Sequence, residues 1–211
     1  MKEFQVFKLL AEGEIIPDGY KQIPYHIVFD VKFDLRYKAR LVADGNWTDI
    51  VREDIYSGVV GMDTVRLGFA LGNLSNLKCC AGDVGNAFLN FYTKEKIYII
   101  AGPDFGPALS GRVLIIVKSL YGLRTSASKF HEHLTDNLRK LVFHSFKADP
   151  NLFYKDMGDH YEYLASYVDD ILVWSRDPMR TMKLLMARYT MKGVGILEYY
   201  LGGNIEQLDE C

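Results

Sequence analysis

Apolar and polar positions alternate in short runs through much of this chain, and only three stretches carry the spacing of an amphipathic helix. His26 to Val31 reads as a strand within a β-rich opening that runs to about Ile55, with turn signals at Pro17-Asp18-Gly19 and Asp44-Gly45. Leu77 to Ala81 predicts a short buried strand, and Ile97 to Ala101 and Val113 to Val117 two more, parted by the Gly- and Pro-rich stretch Gly102 to Gly111. Asn151 to Tyr154 and Tyr161 to Val168 predict strands around a turn at Asp156 to Asp159. Helical spacing begins near Asp63, where Val65, Phe69 and Ala70 line one face, Met62 lies just ahead, and Gly72 and Asn73 mark the far end before Leu74. Ser126 is expected to N-cap a second helix whose core stripe is Phe130, Leu134, Leu138 and Leu141. Asp177 caps a third with Pro178 in its first position, and Met179, Met182, Met186 and Tyr189 fall on one face, a core stripe. Short helices between local hairpins predict an α+β fold rather than a doubly wound sheet.

At 211 residues, 49% of them hydrophobic, the chain can bury a sizeable core in one domain or two small lobes. No apolar run approaches bilayer length, and Lys2, Glu3, Gln5 and Lys8 break up the start, so the expectation is a soluble, intracellular protein with no membrane partner. Cys79, Cys80 and Cys211 form an odd set with two adjacent, which suits reduced thiols. A net charge of −2 argues against a nucleic-acid binder and leaves only the distribution of charge in its favour. Lys32, Arg36, Lys38 and Arg40 cluster, and Arg176, Arg180, Lys183, Arg188 and Lys192 recur later; read alone, each set is as readily a solvated face as a surface for nucleic acid.

Asp169 and Asp170 stand between two apolar runs, Tyr163 to Val168 and Ile171 to Trp174. Two ionised carboxylates buried unpaired would cost several kcal/mol each, so the chain must expose them at a turn or neutralise them with a cation. An ordinary Asp-containing hairpin and a metal-binding hairpin with both aspartates at its tip are the open alternatives. Asp83, where the Leu77–Ala81 strand ends, adds a third carboxylate. Three such groups can converge on a pair of metal ions about 3.5–4 Å apart, an arrangement that supports in-line displacement at phosphorus.

Asp83-Val84-Gly85-Asn86-Ala87-Phe88 resembles motif A of reverse transcriptases, and Tyr167-Val168-Asp169-Asp170 resembles their Tyr-x-Asp-Asp motif C. Between them, Ser119 to Leu123 followed by Arg124 is similar to the Leu-Tyr-Gly-Leu-Lys segment of copia-type retrotransposon polymerases. Upstream, Lys38 to Ala43 resembles the same family's Lys-Ala-Arg-Leu-Val-Ala segment, and Tyr200 to Gly203 resembles its Leu-Gly segment. Together they cover nearly the whole chain, from about Tyr20 to Ile205.

The resemblance implies the fingers-and-palm region of a Pol polyprotein from an LTR retrotransposon. Its palm would be an antiparallel sheet packed on helices (residues 61–90 and 125–211), beside a strand-rich fingers lobe (1–60 and 91–124). It implies an RNA-directed DNA polymerase whose catalytic carboxylates are Asp83, Asp169 and Asp170. These and the Val84 carbonyl would hold two magnesium ions, with manganese as a substitute. Lys38 and Arg40, two apart on a strand and hence on one side of it, would grip the triphosphate. Phe88 would abut the sugar and reject a ribose 2′-hydroxyl, and Tyr121 and Gly122 would lie under the templating pair. Tyr167, Tyr200, Leu201 and Gly202 would hold the primer. Implied partners are an RNA or DNA template with primer, deoxynucleoside triphosphates, and the integrase and RNase H portions of the polyprotein; the implied setting is cytoplasm or a virus-like particle.

Two departures from the family pattern bear on efficiency. Asp44 stands before Gly45 where a small or basic residue is usual, and Thr125-Ser126-Ala127 replaces Gln-Ala-Pro. A non-catalytic remnant that at most binds nucleic acid is the second expectation, supported by the acidic balance and by a chain that stops soon after the Leu-Gly segment. A palm-like nucleotide cyclase or nuclease is the third, although it needs neither Tyr121-Gly122 nor Lys38-Arg40. His131-Glu132-His133 is no zinc site, because histidines two apart on a helix face different directions.

Overall fold

The computed structural model describes residues 5–31, 35–48, 58–197, 199–200 and 203–205. In chain order the strands and helices are β1 (Phe7–Leu9), β2 (Lys21–Gln22), β3 (Tyr25–Val31), β4 (Tyr37–Ala43), α1 (Met62–Leu74), β5 (Lys78–Val84), β6 (Ile97–Ile100) and β7 (Val113–Ile116). They continue with α2 (Ser126–Lys140), β8 (His144–Ser145), β9 (Leu152–Asp156), β10 (Tyr161–Tyr167), β11 (Asp170–Ser175), α3 (Pro178–Met186), β12 (Met191–Ile196), β13 (Tyr199–Tyr200) and β14 (Gly203–Asn204). The fold is α+β, and the chain divides into two compact units: residues 1–57 with 88–131, and 58–87 with 132–211. Among the described residues no helix is long and apolar enough to cross a membrane.

The first unit holds a four-stranded sheet in the order β1-β7-β6-β2, antiparallel except where β2 joins β6. Ile23, Ile97, Ile99, Leu114 and Ile116 form its dry centre. β3 and β4 make a separate antiparallel ribbon. Opposed residues of such a ribbon share a face, so Val28, Asp30, Lys38 and Arg40 stand on one side and Phe29, Val31, Tyr37 and Ala39 on the other. The end of β4 is fastened by the Ala43 N–H, which donates to the Tyr121 carbonyl at 2.8 Å. Gly122, at φ +88°, lies so close that a Cβ there would stand 2.1 Å from the Ala43 carbonyl oxygen, and one on Gly45 would stand 2.5 Å from the Gly122 oxygen. The two glycines are therefore explained by backbone meeting backbone.

The second unit is built on a six-stranded, wholly antiparallel sheet in the order β12-β5-β11-β10-β9-β8. α1 packs against β5, β10 and β11, while α3 packs against β5, β11 and β12. The α1 contact centres on Trp174, whose ring meets Phe69 edge-on with centroids 5.2 Å apart. Gly72 does lie near the end of this helix, as expected, and it is also buried against Trp174 together with Gly68; a Cβ on either would come within 2.7 Å of the indole. Ala70, expected on the packed face, is exposed. On α3 the buried side is Pro178, Thr181, Met182 and Leu185; of the expected stripe Met182 and, just beyond the helix, Tyr189 are buried, Met179 is half-buried, and Met186 is 48% exposed with Leu185 in its place. Ser126 is not the cap of α2 but its first residue; its hydroxyl donates to the Leu120 carbonyl at 2.7 Å.

Gly61 precedes α1 without a side chain to cap it, and Asp149 supplies the missing acceptor from 88 residues away, taking the Gly61 N–H at 3.1 Å. Burial pushes the Asp149 carboxyl up, but hydrogen bonds from Thr64, Asn151 and Gly61 outweigh this and hold it below its ordinary pKa. A folded-state pKa below the unfolded one adds stability above the unfolded pKa that is lost as pH falls through the folded one. Asp149→Ala is therefore expected to cost about 1 kcal/mol near neutral pH, and in urea melts the gap to the wild type narrows as pH falls below the ordinary carboxylate range.

Candidate active site

Asp83 and Asp170 face each other across β5 and β11. Directly opposed residues share a face, with Cβ atoms about 4.5–5.5 Å apart. The row continues through both outer neighbours, because Tyr167 opposes Asp170 on β10 and Lys192 opposes Asp83 on β12. Tyr167, Asp170, Asp83 and Lys192 thus form one line across four strands. Asp83 lies within β5, two residues beyond the strand end at Ala81 expected from the pattern. Only Asp169 occupies the hairpin tip; Asp170, expected there too, is the first residue of β11.

The tip is a two-residue turn, Val168-Asp169, closed by the Tyr167–Asp170 pair. Val168 has φ +54°, a left-handed conformation that a β-branched residue adopts only under constraint. Two bonds supply it. The Val84 N–H donates to the Asp169 carbonyl at 2.8 Å, and the Ser166 hydroxyl donates to the Val168 carbonyl at 3.2 Å. Val84, expected to offer a carbonyl to a metal, has its side chain fully buried. Gly85 donates to the Thr190 carbonyl at 2.8 Å, and a Cβ there would stand 3.2 Å from Lys192 Cε, so its bareness serves β12.

Burial first, then the charges of Asp169 and Asp83, push the Asp170 carboxyl from 3.8 up to about 6. Tyr200 packs against the apolar cluster around Leu172 and Trp174, and its phenol is raised by burial and then by Asp170, Tyr167 and Cys79. Its hydroxyl is buried with no hydrogen-bond partner among the described residues. Leu201 and Gly202, the remaining expected primer contacts, lie outside the described residues, as does Lys32.

These groups fit a hard divalent cation in donor chemistry. The donors are all oxygens, and their mutual repulsion at Asp170 is what a cation relieves. Among the described residues no three His, Cys, Asp or Glu side chains are drawn together into a cage for one ion. Magnesium does not require one, since it is typically held by one or two carboxylates plus substrate phosphates and water.

In the other unit, Lys38 and Arg40 do share a ribbon face, but Asp30 stands among them and Arg40 reaches it at 3.4 Å. On the same face His26 Nδ1 lies 2.9 Å from Asp44. Phe88 lies in the short turn Ala87–Asn90 with its ring against Tyr121. Lys192 is the site residue that pattern reading missed, because one lysine among scattered basic residues looks like solvated surface. Its signal was register: it is the residue of β12 that meets Asp83.

An antiparallel sheet carrying a hairpin aspartate and a cross-strand aspartate pair is the setting in which the family match becomes informative. The family model described as reverse transcriptase (RNA-dependent DNA polymerase) matches residues 5–210, and the chain belongs to that family. The retrovirus-related Pol polyprotein from transposon TNT 1-94 of Nicotiana tabacum is 29% identical over 202 residues, 90% of this chain and 15% of that protein. That from transposon RE1 of Arabidopsis thaliana is 30% identical over 173 residues, 79% of this chain and 12% of its own length. A putative protein of transposon Ty5-1 from Saccharomyces cerevisiae is 33% identical over 129 residues, 59% of this chain and 42% of that protein. The chain thus spans less than half the length of each of these relatives. Among solved structures, prototype foamy virus protease-reverse transcriptase is similar at 16% identity and a TM-score of 0.49, over 95% of this chain and 24% of that one.

Proposed function

We propose that this chain is the polymerase portion of a retrotransposon Pol polyprotein and extends a primer 3′-hydroxyl on an RNA or DNA template with deoxynucleoside triphosphates. The observation that carries the reading is the cross-strand register of Asp83 with Asp170, one residue from the hairpin aspartate Asp169. In this reading the six-stranded unit is the palm and the other the fingers. Asp83 and Asp169 hold two magnesium ions, with Asp170 and the Val84 carbonyl alongside. Bound there, such ions acidify an attacking hydroxyl and neutralise charge on the phosphates and the leaving pyrophosphate.

The chain's own residues do the rest by positioning. Asp83 is fixed by strands on both sides, and Asp169 by its carbonyl's bond to the Val84 N–H, so both carboxylates are aimed before substrate arrives. Tyr167 and Tyr200 bear on the primer end, and Lys192 puts a positive charge in the row for phosphate. Lys38 and Arg40 take the triphosphate as point charge and planar fork, and the Phe88 ring meets the sugar. The acid Asp30, opposite Lys38 and within reach of Arg40, favours a second reading, a chain that holds template weakly and polymerises little.

Primer extension on an RNA template in magnesium tests both. The expected outcome is extension by the wild type and a loss on the order of a thousandfold in Asp169→Asn. Equal rates would remove Asp169 from the chemistry, and salt-sensitive binding of primer-template without extension would favour the second reading.

A further inference from the structure

Phe88 is held by aromatic rings within its own unit. Tyr121 meets it edge to face, with centroids 4.9 Å apart and planes at 71°, and Phe130 of α2 meets it at 6.5 Å and 84°. Tyr121 is itself fixed by backbone. Its carbonyl accepts the Ala43 N–H at 2.8 Å, and the neighbouring Gly122 fits against Ala43 only because it has no Cβ. The backbone at Tyr121 therefore cannot shift without moving the end of β4.

We infer that Tyr121 is a positioning residue that sets the angle of the Phe88 ring and thereby the discrimination between deoxyribose and ribose nucleotides. The inference rests on the reading of Phe88 as the residue that meets the sugar. An edge-to-face contact needs the ring and not the phenol oxygen, so Phe at position 121 keeps the buttress, while an aliphatic side chain removes it. Gly122 then has a purpose beyond the turn itself: it locks the buttress to β4, whose cations are assigned to the triphosphate.

The test is single-nucleotide incorporation by the full chain on a primed RNA template, comparing kcat/KM for a deoxynucleotide with that for its ribonucleotide. The proteins are the wild type, Phe88→Val, Tyr121→Phe, Tyr121→Leu and the Phe88→Val/Tyr121→Leu double variant. The deoxy-over-ribo ratio is expected to fall about threefold to tenfold in Tyr121→Leu, to hold in Tyr121→Phe, and to change no further when Tyr121→Leu is added to Phe88→Val. Tyr121→Met, long but without a ring, carries the same expectation should the leucine variant fail to accumulate. A wild-type ratio in Tyr121→Leu alongside a collapsed ratio in Phe88→Val overturns the inference and leaves the gate intact. An unchanged ratio in Phe88→Val overturns the reading of Phe88 and the inference with it.

Discussion

Asp83→Asn is expected to abolish nucleotide incorporation, by about a thousandfold or more, while making the cation-free protein more stable. The two effects share one cause. The amide keeps the carboxylate's shape, so the β5–β11 register is undisturbed, but it removes an anion from a crowded row. That row pushes the Asp170 carboxyl up to about 6, through burial first and then through Asp169 and Asp83. An acid with a raised folded-state pKa binds its proton more tightly folded than unfolded, so its contribution to stability falls as pH rises from about 4 to about 6 and stays low above that. Thermal melts without divalent salt should show a shallower decline over that window in the variant and a higher Tm at pH 7. Adding magnesium should raise the wild-type Tm more than the variant's, since a ligand stabilises by its affinity for the folded state. Full incorporation by Asp83→Asn would sink the assignment of the row to catalysis.

Trp174→Ala should cost roughly 3–5 kcal/mol, a large part of the stability of a domain this size. The indole is 1% exposed and fills the space between β11 and α1 that Gly68 and Gly72 leave open. Its N–H has no partner among the described residues, so its contribution is packing. The same geometry predicts a change of sign. In the wild type, Gly72→Ala drives a methyl to within 2.7 Å of the ring and should destabilise by about 1–3 kcal/mol. In the Trp174→Ala background the ring is gone, only the helix preference of alanine remains, and the substitution should stabilise by up to about 1 kcal/mol. Guanidine melts of the four proteins decide it; additive effects would mean that the glycines are not there for the tryptophan.

The carboxylates were legible because charge inside apolar runs is conspicuous, and the strands because alternation is a local signal. Register is not local. Nothing in the order of residues tells that Asp170 meets Asp83 rather than Gly82, or that Lys192 completes the row, since pairing is settled by which strands become neighbours. Gly72 marks the end of α1 as its position suggests, but its second role is hidden for the same reason: its partner Trp174 is distant in sequence and adjacent only in the fold. Asp149 likewise caps α1 from 88 residues away. On α3 the expected stripe holds at Met182 and Tyr189 and fails at Met186, because Leu185 competes with it for the buried side and periodicity alone does not choose between two apolar neighbours.

The hairpin's left-handed valine has one more consequence. A glycine or asparagine at position 168 would adopt that backbone at little cost, so comfort alone would favour them. Valine tolerates that backbone poorly, so the shape of the loop rests on the bonds around it, the Val84 N–H to the Asp169 carbonyl and the Ser166 hydroxyl to the Val168 carbonyl. The surrounding bonds thus hold one acidic group in place against a torsional cost, and variation at this site should be screened for how sharply that group is aimed before how tightly the hairpin folds.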